Sequence, residues 1–218
     1  DGEDFELRAI VGLEPYLHAD RTIQVLVQDE IPEPDYSYDY SFVWMSDTQY
    51  YSESYPNIYY DIVNWIADNK ESQKIKYVIH TGDLVDEVDQ EYQWVTSSEA
   101  MKVLEEADIP YGVLAGNHDV GHREEDYMTY WRYYGADRFE DEPTYGGSYD
   151  NNRGHYDLIS VDGNDYIFVY MGWGIGDKEI AWMNEVLAQY PNRKAVLNFH
   201  EYLLVSGNRS PIAQKIHE

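Results

Sequence analysis

Six consecutive residues, Leu114-Ala115-Gly116-Asn117-His118-Asp119, combine a glycine with three side chains that could do chemistry. They include the end of a short apolar run, residues 113–115, that is typical of a strand. The glycine permits an abrupt turn and a close approach of the backbone to a ligand. Amide and carboxylate oxygens are hard donors, and an imidazole is a metal ligand or an acid–base group. Alone, the segment would be interpreted as a turn formed by Asn and Asp.

Three further apolar runs end in side chains of the same kind. The runs 42–45, 77–79 and 195–197 are followed by Ser46-Asp47-Thr48-Gln49, His80-Thr81-Gly82-Asp83 and Asn198-Phe199-His200. A parallel sheet brings the carboxyl ends of its strands together, which is where open α/β sheets bind ligands. Four such strand ends in one chain therefore predict one shared ligand site.

The order of these groups resembles the pattern of the calcineurin-like metallophosphoesterase family. That pattern runs D-x-H, G-D, G-N-H-D/E, a lone H and finally G-H-x-H. The resemblance covers the chain from about Ser41 onward and is carried by Asp47 to Gln49, Gly82-Asp83, Gly116 to Asp119 and His200. Gln49 stands where the family usually has His, and the closing G-H-x-H is absent from the 218 residues.

The resemblance implies a metal-dependent hydrolase of phosphate esters, either a phosphomonoesterase or a phosphodiesterase, with two divalent or trivalent ions of Mn, Fe or Zn. It implies that Asp83 bridges the ions, that Asp47 and Gln49 belong to the first, and that Asn117 and His200 belong to the second. Two metal ions ~3.5–4 Å apart can activate water and stabilise the phosphoryl oxygens. Gln49 stays open between a weak ligand and a group that positions a water, because an amide oxygen is a weaker and harder donor than imidazole.

His118 resembles the family residue that contacts the phosphate, where it would stabilise transferred charge or protonate the leaving oxygen. We predict that Asp119 orients the His118 ring by accepting its other N–H. Among the remaining histidines, His80 is expected behind the site, and His122 and His155 are expected at the surface.

The composition limits the partners. Acidic residues number 42 against 15 basic ones, for a net charge of −27. This balance argues against a nucleic-acid backbone or an anionic membrane as main partner, and an anionic phosphate ester would have to be attracted by bound cations.

With no Cys, disulfides and thiolate metal sites are excluded. No apolar stretch approaches the ~20 residues of a membrane span. A bacterial secreted or cell-surface protein fits this composition, while a cytoplasmic location and the oligomeric state stay open.

The elements that must position these residues alternate between strands and helices from Ser41 onward. The predicted strands are apolar at consecutive positions, which suits sheets covered on both faces. We therefore expect an α/β fold with two mixed sheets face to face and helices on the outer faces (αββα), as in a metallophosphoesterase sandwich. Helices are predicted from Pro56 onward, with Ile58, Ile62, Trp65 and Ile66 inward, and at residues 91–107, 123–134 and 177–189. Residues 144–153 are predicted as a loop and 162–165 as a hairpin turn.

Two domains are expected. Residues 1–40 are interpreted as an N-terminal extension or the remnant of a preceding domain, with strands at 6–11 and 22–27 and an acidic, proline-containing linker. Residues 41–218 are predicted to form the metallophosphoesterase-like domain, truncated at its C-terminus. Ser210-Pro211 is typical of a helix start, and in the family a strand carrying G-H-x-H follows such a helix. We therefore expect a version extended by roughly 40 residues to bind metal and turn over better.

Two other functions stay open on the sequence. A catalytically weak surface or adhesion module on the same scaffold is compatible with Gln49, the acidic surface and the Tyr-rich loops. A metal-free hydrolase that uses Asp83 and Asp119 would leave Asn117 and His200 without roles. Metal content, measured together with hydrolysis of aryl phosphates, separates these alternatives.

Overall fold

Two compact units divide the chain, Asp1–Tyr38 and Asp39–Glu218. The computed structural model describes residues 5–13, 17–25, 38–121 and 126–216. In the first unit, strands β1 (Phe5–Leu13) and β2 (Leu17–Val25) pair antiparallel. Both predicted strands are confirmed, although β2 begins five residues earlier than residue 22. Residues 26–37 of the predicted linker lie outside the described residues.

The second unit contains two sheets. The first has three parallel strands in the order β3-β4-β5, and the second has four strands in the order β6-β7-β8-β9, antiparallel except for the parallel β8–β9 pair. Their bounds are Ser41–Met45 for β3, Ile75–His80 for β4, Tyr111–Val113 for β5, Tyr145–Tyr149 for β6, Gly154–Val161 for β7, Asn164–Met171 for β8 and Lys194–Phe199 for β9.

The two sheets pack face to face through a shared apolar layer. Tyr77 and Leu114 from the first half of the unit are buried in one cluster with Ile159, Phe168 and Tyr170 from the second sheet. The rings of Tyr77 and Phe168 lie 4.8 Å apart between centroids. Because both faces of β4 and β8 are covered, these strands are apolar on consecutive positions, as the sequence predicted.

Helices cover the outer faces and complete the predicted αββα arrangement. A larger core joins the first sheet to α2 (Pro56–Asp68), α3 (Glu91–Glu106) and α4 (Met128–Tyr134), with Trp94 fully buried in it. On the second sheet, α5 (Asp177–Gln189) buries Met183 and Val186. The remaining helices among the described residues are short: α1 (Gln49–Glu53), α6 (Pro211–Ile216) and two 3-10 helices, His118–Val120 and Ala136–Arg138.

The buried face of α2 differs from the predicted stripe. Tyr59, Val63 and Ile66 are buried, whereas the side chains of Ile58 and Trp65 are 45% and 54% exposed. The helix is turned by about one residue because Tyr59 contributes a large ring to the core and its hydroxyl accepts a hydrogen bond from Thr48 Oγ1 at 3.2 Å. Periodicity alone favoured the aliphatic residues over this tyrosine.

Part of the predicted loop 144–153 is strand β6, so that prediction was wrong there. Gly146 fits this strand because a Cβ at that position would lie 2.1 Å from the Tyr156 ring on the neighbouring strand. The glycine therefore permits a close cross-strand approach. The helix predicted at 123–134 begins only at Met128, and residues 122–125, which include His122, lie outside the described residues. Within the described ranges, every helix is too short or too polar to cross a membrane.

Candidate metal centre

Three of the predicted strand ends converge at the carboxyl edge of the first sheet. Asp47 follows β3, Asp83 follows β4 and His200 follows β9, and one ligand atom from each lies within 4.8 Å of the others. The main chain ties the first two ends together, since Asp47 N donates to Gly82 O at 3.0 Å. Two carboxylates and an imidazole at this spacing form a donor set suited to a transition metal or zinc.

Both aspartates have left-handed backbone conformations. The φ angle is 56° at Asp47 and 55° at Asp83, in a region that non-glycine residues rarely occupy. Such conformations cost free energy and occur disproportionately at functional sites. Here they turn each chain sharply out of its strand, which directs the two carboxylates toward one another.

Asp83 lies at the centre of the group and is 3% exposed. Its Oδ1 accepts the backbone N–H of His118 at 3.1 Å, while Oδ2 lies 3.4 Å from Gln49 Nε2 and 3.4 Å from His200 Nε2. Burial alone would raise the pKa of Asp83, but the hydrogen bond and charge of His200 and the His118 N–H outweigh it. The pKa is therefore lowered, and the group is a carboxylate at neutral pH.

Two glycines allow the loops to meet at Asp83. A Cβ on Gly82 would lie 2.6 Å from Gly116 N, and a Cβ on Gly116 would lie 2.1 Å from Asp83 Oδ1. Both distances are far below van der Waals contact, and Gly82 has a φ of 98°. The glycines of the two motifs are thus explained by direct contact between the loops.

Gln49 is brought to the same place by the start of α1. Its side chain is buried, with Nε2 next to Asp83 Oδ2, and Oε1 has no hydrogen-bond partner among the described residues. A buried amide oxygen without a partner is costly. This orphaned acceptor, on a side chain that contacts the Asp83 carboxylate, is the feature of the site that best fits a bound cation.

His200 is positioned by hydrogen bonding at one nitrogen. Its Nδ1 donates to Thr81 O at 2.8 Å, which leaves Nε2 to face Asp83. Burial by itself would lower the pKa of His200. The hydrogen bond and the charge of Asp83 have a larger, opposite effect, so the pKa is raised to about 9. A metal at Nε2 would therefore have to replace a proton there. Trp173 packs its ring against His200 at 5.9 Å and connects the two sheets through its N–H to Ala115 O.

A buried chain of hydrogen bonds behind the site includes His80, as predicted. The Gly82 N–H donates to His80 Nδ1 at 3.2 Å, so the ring carries its proton on Nε2, which lies 3.0 Å from Thr48 Oγ1. Burial lowers the pKa of His80 to about 3, and the ring is neutral. Thr48 was missed from the sequence, although its position between Asp47 and Gln49 could have indicated a supporting role.

The predicted contact between Asp119 and the His118 ring is wrong. Asp119 is fully buried, and its Oδ1 accepts the N–H groups of Leu84 and Val85 while Oδ2 accepts that of Gly116. Burial and the nearby charge of Asp83 raise the pKa of Asp119 to about 7. Because both of its oxygens accept main-chain N–H groups, the carboxyl group holds together the two loops that carry the candidate ligands Asp83 and Asn117.

Asp86 takes the place predicted for Asp119 beside the His118 ring. His118 Nδ1 lies 2.7 Å from the Asp86 carbonyl and 3.3 Å from its carboxylate. Nothing in the sequence predicted this contact, except that Asp86 lies three residues after Asp83. Asn117 is half-buried in the loop that follows β5, between Gly116 and His118.

The chain matches known proteins over most of its length. A family model described as calcineurin-like phosphoesterase matches residues 40–215. A Bacillus subtilis (strain 168) protein called "Uncharacterized protein YvnB" is 56% identical over 216 residues, which are 99% of this chain and 16% of that protein. The chain thus spans about a sixth of the length of that relative.

Proposed function

The chain belongs to the calcineurin-like phosphoesterase family, and from this premise we propose that it hydrolyses phosphate esters at a dinuclear metal site. The observation that carries the proposal is the convergence of Asp47, Asp83 and His200 within 4.8 Å beside the unpartnered Gln49 oxygen. These residues are far apart in the sequence and have no shared role in the hydrophobic core.

The residues divide between two ions as follows. Asp47 and Gln49 would hold the first ion, Asn117 and His200 would hold the second, and Asp83 would be shared between the two. Asp83 suits the bridge because it is buried, ionised and flanked on both sides by other candidate ligands. When bound, two such cations supply positive charge for the phosphoryl oxygens and activate water as the nucleophile. Manganese, iron and zinc all suit these donors.

His118 serves the leaving group. Its Nδ1 donates to the Asp86 carbonyl, which orients the ring and leaves Nε2 to carry the proton for the leaving oxygen. The Asp86 carboxylate lies 3.3 Å from the same ring nitrogen and helps to hold the ring in place. The backbone N–H of the same residue holds Asp83, so the acid and the proposed bridge are positioned together. Asp119 acts through the main chain as a positioning residue.

The test is to measure metal content and hydrolysis on the same purified sample. We expect two transition-metal ions per chain and turnover of either an aryl phosphate or a bis-aryl phosphodiester, lost on chelation and restored by Mn²⁺ or Zn²⁺. Metal binding without turnover of either ester would favour a catalytically weak binding module on this scaffold. Absence of metal would contradict the dinuclear site.

A substitution at Gln49 tests whether this position faces the first ion. Gln49→His replaces the amide with an imidazole, which is a stronger donor for these metals. We expect it to tighten Mn²⁺ or Zn²⁺ binding by about tenfold, the low end of the effects on metal affinity seen for groups around a bound metal. Gln49→Leu removes the donor at similar volume and is expected to weaken binding. Titration of metal-free protein measures both. If the two variants bind metal like the parent protein, Gln49 is not a ligand.

A further inference from the structure

A second site lies at the opposite end of the first sheet from the metal centre. It is a cavity of about 270 Å³ beside the amino end of β5, where Tyr111 begins the strand. Tyr111, Phe139 and Tyr145 line it, and Asp157 of β7 contributes a carboxylate. Asp47, Asp83 and Asn117 follow the carboxyl ends of the parallel strands of this sheet, so the cavity is distinct from the site described above.

Asp157 is an ionisable residue buried between the two sheets, where aspartate is rare. It is 2% exposed, and its Oδ2 accepts a hydrogen bond from the Tyr77 hydroxyl. Its other oxygen, Oδ1, accepts no hydrogen bond from the described residues. A buried carboxylate normally has its lone pairs occupied. Oδ1 is therefore an acceptor that can bind a donor entering the cavity.

The charges around the cavity favour a positive ligand. The exposed carboxylates of Asp108 and Glu142 stand at its edge. Glu105 and Arg138 also line it, but their side chains neutralise one another at 2.8 Å.

Arg138 is not available to bind an anion. Its guanidinium also donates to the Ser98 hydroxyl, the Ser98 carbonyl and the Tyr133 carbonyl, so that all three nitrogens are engaged. Because every nitrogen of Arg138 is already engaged, the charges that remain to attract a ligand into the cavity are those of its carboxylates.

The walls suit a flat ligand. The rings of Phe139 and Tyr145 lie 6.2 Å apart and 20° from parallel, and Tyr111 meets Phe139 edge-on at 5.3 Å. Aromatic faces attract cations as well as apolar surface. We propose that this cavity binds a small organic cation, an amidinium or ammonium on a flat apolar body, with its N–H donating to Asp157 Oδ1.

Protonation of Asp157 gives this binding a characteristic pH dependence. Burial, with a contribution from the charge of Glu142, raises the pKa of Asp157 to about 8, so the carboxyl group is protonated at neutral pH in the empty cavity. A cation favours the ionised form, and binding should therefore tighten as the pH rises from about 6 to about 9.

The other titratable groups packed against Asp157 do not change charge in this interval. The Tyr77 and Tyr170 hydroxyls have pKa values raised well above the usual value by burial, and burial lowers the pKa of His155 to about 3. His155 is itself buried, 3.7 Å from Asp157 Oδ2, so the prediction that it lies at the surface was wrong. Tyr111 and Arg138, on the walls of the cavity, also have raised pKa values.

Benzamidine, with its neutral analogue benzamide as control, tests the proposal by calorimetric titration of the whole protein. We expect one benzamidine per chain, at least about tenfold weaker binding of benzamide, and tighter benzamidine binding at higher pH. Asp157→Asn should weaken benzamidine binding about 10- to 100-fold, as expected for a hydrogen bond to a charged group. It should also remove the pH dependence, while metal content and phosphoesterase activity stay unchanged.

Glu142→Gln, an exposed change at the edge of the cavity, keeps the test valid if Asp157→Asn does not fold. Measured at about pH 9, where Asp157 is ionised with or without Glu142, this change should weaken benzamidine binding by a smaller factor of about two- to fivefold, as a partly screened charge does. Equal binding of benzamidine and benzamide would overturn the proposal, as would no saturable binding of benzamidine or unchanged affinity in a folded Asp157→Asn variant. Because the readout is binding, these outcomes do not depend on whether the metal centre is catalytic.

Discussion

Asp83→Asn is expected to lower kcat/KM for phosphate-ester hydrolysis by at least about 10³-fold and to remove at least one metal ion per chain. Loss of a single neutral hydrogen-bond donor in an active site costs about 10²- to 10³-fold, and here a negative charge shared by two cations is lost. The protein should remain folded, because Asn, like Asp, tolerates the left-handed conformation at a φ of 55°. Elemental analysis, steady-state kinetics and a melting curve measure the three effects.

Asp162→Asn is the matched control for this change. Asp162 also has a positive φ, 47°, but lies exposed in the turn between β7 and β8. The same chemical change there should leave metal content and turnover unaltered. Full occupancy and activity in Asp83→Asn would mean that Asp83 is not the bridge and that the dinuclear assignment fails.

His118→Ala is expected to reduce kcat by about 10²- to 10⁴-fold, the usual contribution of a general acid, with metal content nearly unchanged. The side chain is partly exposed, and its ring contacts Asp86, which is outside the proposed ligand set. The Asp83 contact of this residue comes from its backbone N–H, which alanine retains. The substitution therefore separates the chemistry from metal binding.

His200→Ala provides the opposite result. Removal of this imidazole should reduce metal content first and activity as a consequence, because Nε2 faces Asp83 within the ligand group. Excess metal should partly restore the activity of His200→Ala and have no effect on His118→Ala. Equal metal loss in the two variants would show that His118 is a ligand and not the acid.

Local pattern was sufficient for much of the architecture. Apolar runs placed the strands β3, β4, β5 and β9, and Pro56 marked the first residue of α2. Asp162-Gly163 marked the hairpin turn, where both residues have positive φ. These features depend on neighbours within a few residues, which is the range over which periodicity and turn chemistry act.

Some local patterns were overruled by packing. The strand β6 was predicted as a loop because it contains Gly146. In the structure this glycine allows close packing against the ring of Tyr156 on the adjacent strand. The inward face of α2 was set by the bulk and hydroxyl of Tyr59, which no aliphatic stripe indicates. In both cases the deciding partner is far away in the sequence or in another element.

The sequence by itself determined which residues stand at the carboxyl ends of the strands and therefore which could share a site, including Asp47, Asp83 and His200. Only the tertiary structure decided what each of them touches. Asp119 was predicted beside its neighbour His118 but bonds instead to Leu84 and Val85, about 35 residues away. The orphaned oxygen of Gln49 and the buried carboxylate of Asp157 were likewise invisible in the sequence. The physical reason is that hydrogen bonds reach about 3 Å in space without regard to sequence distance. Spacing along the chain can therefore place a side chain at an edge of a sheet but cannot assign its partner.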